Sequence, residues 1–427
     1  MKIGIQTWGS NGDIRPLIAL AAGLQAAGHQ ISMVATDVDD RHYHHYAKEH
    51  GFRFRQVATP VLADAQSLKR IAERIDQART PAEQSKIIIE QAFLPARQAM
   101  HQAAAELAEE NTLLIGHFFL YPLQIEAEKR SKPYITASFA PILVPSRHLC
   151  PTGLPNWGKW INPLWWKLAQ IVLNRQYLPA INDFRMQQGL PPQRDTLTQT
   201  WISDRLNLIA ASPQLIQRPS DWPDKNQLCG YFDLPETAQT DELPADIKTY
   251  LQAGPPPIYI GFGSLTPADE EQYRQHYHLI DEALKQSNQR GIVQLPLQPL
   301  KVMPSSPRIL SIGHVSHRAL FPHCALAIHH GGAGTTHTAA RAGLPSIIIA
   351  HAADQYYWGE QLHKLGIAPK HLDIRKLTAS GLTEAIHSVT QSATMKPRAQ
   401  AIARAMQQEQ GVANAIDHIE RLAKTIT

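Results

Sequence analysis

The chain has 427 residues, of which 43% are apolar and 18% charged, with a formal charge of +4 and three cysteines far apart at 150, 229 and 324. That length exceeds what one hydrophobic core usually supports, so two domains of roughly 200 residues each are expected. The mild positive charge lacks the concentrated Lys/Arg run of a nucleic-acid reader, the cysteines form neither a disulfide framework nor a CxxC metal pair, and no apolar run reaches the roughly 18 residues of a membrane span.

The start, MKIGIQTWGS, reads as a first core strand and not as a signal peptide, which with the reduced cysteines points to the cytoplasm. The first half then alternates apolar runs (KIGIQ, ISMVAT, LLIGH, PYITAS, LNLIAA) with helical patterns such as DIRPLIALAAGLQAAGH, the signature of parallel strands with crossover helices. DVDD at 37–40 reads as an acidic helix start and not as a metal pair, and the histidine-rich RHYHHYAKEH at 41–50 as a solvated helix face without ordered ligand spacing. Residues 63–110 read as helices outside the sheet. The segment 156–180 holds four of the eight tryptophans, Trp157, Trp160, Trp165 and Trp166, beside Lys159 and Lys167. Lining of an apolar acceptor pocket, a peripheral membrane contact and plain helix packing all fit that cluster. Prolines and acids in DLPETAQTDELPADIKTYLQAGPPP mark a linker. The expected division is a first domain over 1–233, a linker over 234–256, a second domain over 257–400, and helices over 401–427 that pack back on the first domain. In the second half IYIGFGS, IVQLPL, RILSIG, LAIHH and SIIIA repeat the alternation.

The most informative stretch runs from 327 to 359, AIHHGGAGTTHTAARAGLPSIIIAHAADQYYWG. An apolar strand leads into glycines at 331, 332 and 334 and then into a helix whose first turn carries Thr335 and Thr336. Glycines let the backbone approach a ligand, and the N–H groups at a helix start offer donors and partial positive charge, the outline of a phosphate site to which His330 adds a side chain. Asp354 and Gln355 follow the next strand, at the sheet edge where open α/β sheets bind ligands.

HHGGAGTT at 329–336, RAGLPSIII at 341–349, ADQYYWG at 353–359 and, more weakly, IYIGFGSL at 258–265, VSHRALFPHC at 315–324, INDFRMQQGLPP at 181–192 and the opening WGSNGDIRPLIALAAGLQAAGH at 8–29 resemble the family 1 nucleotide-sugar glycosyltransferases, in the branch acting on sterols, lipids and antibiotic aglycones. The resemblance covers nearly the whole chain and implies a GT-B fold, an α/β architecture of two Rossmann-like domains whose parallel sheets face each other across a cleft. It implies that His330, Gly332, Gly334, Thr335 and Thr336 bind the donor diphosphate, with Ser264 near it. Asp354 and Gln355 would hold hydroxyls of the donor sugar, the backbone around Val315 would read the base, and Asp13 would be the catalytic base. Read from the residues alone, Asp13 is also a helix-capping aspartate. The pattern departs from the plant members at Thr338, which stands where they carry an acid for the donor ribose, and in LLIGH, which has no aspartate to orient the base. His314 and Ser316 stand where many members show tryptophan and proline, so the choice between uracil and thymine nucleotides stays open.

The implied activity is metal-independent, inverting transfer of a hexose, glucose from UDP-glucose, to a hydroxyl of an apolar acceptor such as a sterol or another lipid, with Trp157, Trp160 and Trp165 as acceptor contacts. Proton removal from the acceptor and stabilisation of the departing diphosphate are the two chemical demands, met by a carboxylate and by fixed helix donors. The alternatives are TDP-deoxysugar transfer to an antibiotic or polyketide aglycone, an epimerase acting on UDP-N-acetylhexosamine, and a module that binds a nucleotide sugar without turnover.

Overall fold

A computed structural model describes residues 1–38, 42–60, 70–71, 74–75, 78, 80–234, 242–263, 270–295, 305–352 and 354–426. The chain divides into two compact units, Met1–Leu234 with Gln410–Thr427, and Pro235–Glu409.

The first unit is built on seven strands: β1 (Lys2–Gly9), β2 (Gln30–Asp37), β3 (Arg53–Gln56), β4 (Leu113–His117), β5 (Tyr134–Ser138), β6 (Leu206–Ile209) and β7 (Asn226–Leu228). They lie in the order β3-β2-β1-β4-β5-β6-β7, and every pair is parallel. The helices are α1 (Asn11–Ala26), α2 (His44–His50), α3 (Pro81–Ile88), α4 (Leu94–Glu110), α5 (Tyr121–Lys129) and α6 (Asn162–Gln187), with a π turn, Ile89–Phe93, joining α3 to α4. Parallel strands are covered on both faces, so β4 and β5 are buried at every residue. The chain runs outward from β1 to β3 and then returns to β4 on the other side of β1, so the crevice for a ligand opens at the carboxyl ends of β1 and β4.

The second unit holds β8 (Ile258–Gly261), β9 (Gly291–Gln294), β10 (Ile309–Ile312), β11 (Leu326–His329), β12 (Ser346–Ala350) and β13 (Leu372–Asp373), in the order β10-β9-β8-β11-β12-β13. Its helices are α7 (Ala245–Gln252), α8 (Glu270–Gln286), the single turn α9 (His317–Leu320), α10 (Ala333–Arg341), α11 (Gln355–Lys364), α12 (Ala379–Thr390) and α13 (Met395–Met406). Two apolar clusters form its core, one around Ile260, Ile328, Ile347 and Ile386, the other around Tyr259, Phe321, Ala327 and Leu344. The order again reverses, here between β8 and β11, and the glycine-rich turn leaves β11 at that point.

Two expectations need correction. The stretch 234–256 is not all linker: α7 forms there, and Leu243 and Ile247 enter the second unit's core. The change of unit near the carboxyl terminus falls at Gln410, not at 401, because α13 stays with the second unit and only α14 (Gly411–Ile426) joins the first. Helix α14 lies against α1 so closely that a Cβ on Gly23 would come within 2.3 Å of Val412. Asn414 Nδ2 donates to the Cys229 carbonyl at 2.9 Å, and His29 Nε2 meets Glu420 Oε1 at 3.1 Å. Of DVDD, Asp37 ends β2 buried; Asp39 and Asp40 lie outside the described residues, as does part of 63–110.

Candidate active site

At the end of β11 the chain turns through Gly331, whose φ of +89° is open to glycine at little cost. A Cβ there would stand 2.7 Å from Ile348 and 3.1 Å from the Gln355 carbonyl, so the turn is pressed onto β12 and the start of α11. Gly332, the residue before α10, supplies no side-chain cap, which leaves the first-turn N–H groups pointing out of the helix. His330 lies over this turn: a Cβ on Gly332 would come within 2.4 Å of its Nε2, and one on Gly263, after β8, within 3.3 Å of its Cε1. Burial pushes the His330 imidazole down to about 4, so near neutral pH it offers a neutral N–H and not a cation. Among the described residues His330 Nδ1 and Thr336 Oγ1 have no hydrogen-bond partner, although Thr336 is wholly buried. The adjacent His329 accepts from Gly331 N through Nδ1 at 3.1 Å, which fixes its proton on Nε2.

The predicted sugar contacts stand at the neighbouring edge. Asp354 Oδ2 accepts from Trp358 Nε1 at 3.1 Å, and burial raises its carboxyl to about 6. Gln355 is partly committed inside the protein, since its Oε1 accepts from His351 N at 2.7 Å and Ala352 N at 3.1 Å; Nε2 is the atom it can offer a ligand. Gly334 and Thr335 are half-buried in the first turn of α10, and Val315 lies on the loop between β10 and α9, against the core. Ser264 lies outside the described residues. His330, Gly332, Gly334, Thr335, Thr336, Asp354, Gln355 and Val315 therefore share one carboxyl edge of one sheet. Nothing in the linear sequence singled out Tyr259, whose buried hydroxyl lies 2.6 Å from Gln294 Oε1 and 2.7 Å from His317 Nε2 beside that edge.

In the first unit Asp13 sits in the first turn of α1, reached from β1 through Gly9 at φ +134°. A Cβ on Gly9 would fall 2.3 Å from Asp13 Oδ2, so only glycine lets the carboxylate lie across the strand end. Oδ2 accepts from Ser10 N at 2.9 Å and from Ser10 Oγ at 3.1 Å, the geometry of a capping box. Oδ1 is turned the other way, 3.7 Å from Nε2 of His117 at the end of β4, and the Asp13 side chain stays 33% exposed. The capping reading of Asp13 is met by Oδ2, and Oδ1 takes no part in the cap. His117 was missed: LLIGH was read for a lacking aspartate, while its last residue faces Asp13.

The tryptophans separate by face. Trp166 is buried and donates from Nε1 to the Leu149 carbonyl at 2.8 Å. Trp165 packs on Trp157 with ring centroids 5.3 Å apart. Trp157 and Trp160 are 63% and 78% exposed, and Leu164, Leu168, Ile171 and Val172 continue an exposed apolar ridge along α6. Among the described residues no helix is long and apolar enough to cross a membrane, and no group of three His, Cys, Asp or Glu side chains is placed to hold a metal ion.

The domain family described as Erythromycin biosynthesis protein CIII-like, C-terminal domain, matches residues 282–422. A sterol 3-beta-glucosyltransferase of Arabidopsis thaliana is 29% identical over 447 residues, covering 99% of this chain and 68% of that protein. The vancomycin aglycone glucosyltransferase of Amycolatopsis orientalis is 32% identical over 378 residues, covering 87% of this chain and 86% of that protein. Among solved structures the glycotransferase of kitacinnamycin matches with a TM-score of 0.68 at 16% identity over 98% of both chains. The chain belongs to the family 1 nucleotide-sugar glycosyltransferases of GT-B fold, in the branch of the sterol and antibiotic-aglycone enzymes, and is an enzyme that transfers sugar.

Proposed function

We propose that this enzyme moves glucose from UDP-glucose to the hydroxyl of an apolar acceptor, a sterol or another lipid, with inversion and without a metal. The observation that carries the donor half is the uncapped start of α10, framed by glycines, with His330 Nδ1 and Thr336 Oγ1 lacking partners among the described residues. A buried polar atom without a partner costs free energy, and a diphosphate is the kind of ligand that repays it at a helix amino terminus. The N–H groups of α10, His330, Thr335, Thr336 and Ser264 take the charge that collects on the departing phosphate oxygens, the role a divalent cation fills elsewhere. Asp354 and Gln355 Nε2 bind sugar hydroxyls, and the backbone at Val315 reads the base. Asp13 Oδ1 removes the acceptor proton while the acceptor oxygen bonds to the anomeric carbon and the phosphate oxygen leaves with its electron pair. One displacement inverts an α-linked donor to a β-glycoside. Both curated relatives named above are glucosyltransferases by name, one acting on sterols and one on vancomycin aglycone, which supports glucose and leaves two acceptor classes to be separated.

Calorimetric titration with UDP and TDP, each with and without EDTA, tests the donor half. Tight UDP binding indifferent to EDTA is expected; preference for TDP redirects the reading to deoxysugar donors and antibiotic aglycones, and binding of neither removes it. Turnover of UDP-glucose against sterols and against glycopeptide or polyketide aglycones then separates the acceptors.

The acceptor half includes a lipid surface. The ridge Trp160, Leu164, Leu168, Ile171 and Val172 is accompanied by Lys159, Lys167 and Arg175, all exposed, and no acidic residue occurs between Glu128 and Asp183. Apolar side chains flanked only by basic ones suit an anionic bilayer interface, where α6 lies in the plane and does not span it. Co-sedimentation with phosphatidylglycerol vesicles, lost in the double variant Trp160→Ala and Leu168→Ser, is expected. Failure to sediment with those vesicles leaves Trp157, Trp160 and Trp165 as acceptor contacts alone.

A further inference from the structure

Among the described residues the first unit contains three close pairings of a histidine with a carboxylate, His29 with Glu420, His101 with Glu126 and His117 with Asp13, and the last two differ in kind. His101 Nε2 lies 2.8 Å from Glu126 Oε1, closed and buried, with Lys129 and Arg130 completing the carboxylate's partners. That pair needs nothing more. His117 Nε2 stops 3.7 Å from Asp13 Oδ1, too far for a hydrogen bond, although its ring is 3% exposed. Neither of its nitrogens has a hydrogen-bond partner among the described residues. The ring is held by aromatic neighbours on the apolar side, with centroids 4.4 Å from Phe118 and 5.6 Å from Phe139, the latter nearly parallel at 23°. A buried imidazole left unpaired beside a half-exposed carboxylate carries a desolvation cost that packing alone does not explain.

We propose that His117 is the positioning residue of the catalytic base, presenting Nε2–H to Oδ1 of Asp13 so that the carboxylate stays ionised and aimed while the acceptor hydroxyl enters beside that oxygen. The inference rests on the reading of Asp13 as the base. Burial pushes His117 down to about 3, so the ring acts as a neutral dipole and not as a cation. In the transfer step the acceptor proton passes to Asp13, the oxygen–carbon bond forms, and the phosphate leaves with its electron pair; His117 neither gains nor loses a proton. Ser10 holds Oδ2, and His117 gives Oδ1 a donor to turn toward on its other side. Among the described residues, the ionisable side chains on the elements around Asp13 include Asp37 at the end of β2, in register with Gly9, Arg15 on α1, and Tyr43, whose hydroxyl donates to Asn11 Oδ1 at 3.3 Å. All three are retained in the variants below, so a shift between variants reports residue 117.

The test is the pH profile of kcat/KM for the wild type, His117→Leu, His117→Gln and Asp13→Asn, with UDP binding measured on each to verify folding. Leucine suits the aromatic surroundings and removes the donor. The expected result is an acid limb moved up by about half a unit or more and kcat lowered about ten-fold or more in His117→Leu, with the donor KM unchanged. In His117→Gln, where an amide N–H replaces Nε2–H, the limb returns toward its wild-type position. An acid limb in His117→Leu that coincides with wild type overturns the proposal even if kcat falls, because packing loss lowers a rate without moving a titration. Activity surviving in Asp13→Asn overturns the reading of Asp13 itself, and inactivity there together with an unmoved limb in His117→Leu overturns only the role of His117.

Discussion

Acidification should unfold the second unit in a way that one buried histidine makes measurable. His337 is 1% exposed on α10, its Nδ1 donates to the Ala333 carbonyl at 2.6 Å, and its ring packs edge-on against the fully buried Trp358. Burial lowers it from 6.5 to about 4. The folded protein therefore keeps the ring neutral at pH 5 while the unfolded chain has protonated it. Stability from this group is complete above 6.5 and is lost as pH falls from 6.5 toward 4. Between pH 7 and 5 the loss spans about 1.5 pH units, or about 2 kcal/mol, which lowers the melting temperature of a unit this size by about 4–8 °C. Other buried histidines titrate alongside it, His351 with a value of about 3 among them, so the total fall is larger and a variant is needed to isolate the share. His337→Asn keeps an N–H near the Ala333 carbonyl and removes the titration. Scanning calorimetry at pH 7 and pH 5 should show a destabilised variant at pH 7 whose gap to wild type narrows by about 2 kcal/mol at pH 5. An equal gap at both pH values refutes the assignment of a depressed, neutral imidazole to this site.

Two further outcomes follow from the donor edge. Because burial raises Asp354 to about 6, its carboxylate form is lost as pH falls through that value, so affinity for UDP-glucose should weaken below pH 6 more steeply than affinity for UDP, and the two should fall in parallel in Asp354→Asn. Calorimetric titration at pH 5 and 7.5 reads this directly. Gly332→Ala places a methyl within 2.4 Å of His330 Nε2, so the imidazole must leave the turn; UDP affinity should fall about ten-fold or more while thermal stability changes little, and unchanged affinity would show that His330 does not touch the nucleotide.

Legibility in the sequence followed how local each signal was. The turn after β11 could be read because its glycines, the threonines and the flanking apolar strands are adjacent in the chain, and their physical meaning does not depend on distant residues. The helix α7 was hidden because an eight-residue segment with one fully buried side chain, Ile247, shows no apolar period against its prolines and acids. The faces of α6 could not be told apart: apolar residues occupy both its inward side, at Trp166, Tyr177, Ile181 and Phe184, and its outward ridge, and periodicity ranks faces only when one of them is polar. The break near the carboxyl terminus was misplaced for a related reason, since α13 buries Ala399, Ala403 and Met406 and α14 buries Ala415 and Ile419 alike, and contacts with Gly23, His29 and Cys229 are what assign α14 to the first unit.

The pairing of Asp13 with His117 marks the limit of linear reading most clearly. Residue 13 follows β1 and residue 117 ends β4, and between them the chain lays down β2, β3 and the helices up to α4. What makes them neighbours is the return of the chain to the other side of β1, because β4 then pairs with β1 in register Gln6 to Gly116 and its last side chain arrives beside the first turn of α1. A histidine closing a strand reads as core, and at 3% exposure it is core, yet one of its nitrogens is directed at a carboxylate. The switch point of the sheet therefore does more than open a crevice. It brings a helix-capping acid and a strand-ending imidazole from distant parts of the chain to one edge, and the capping bonds that fix Oδ2 are what leave Oδ1 directed at His117.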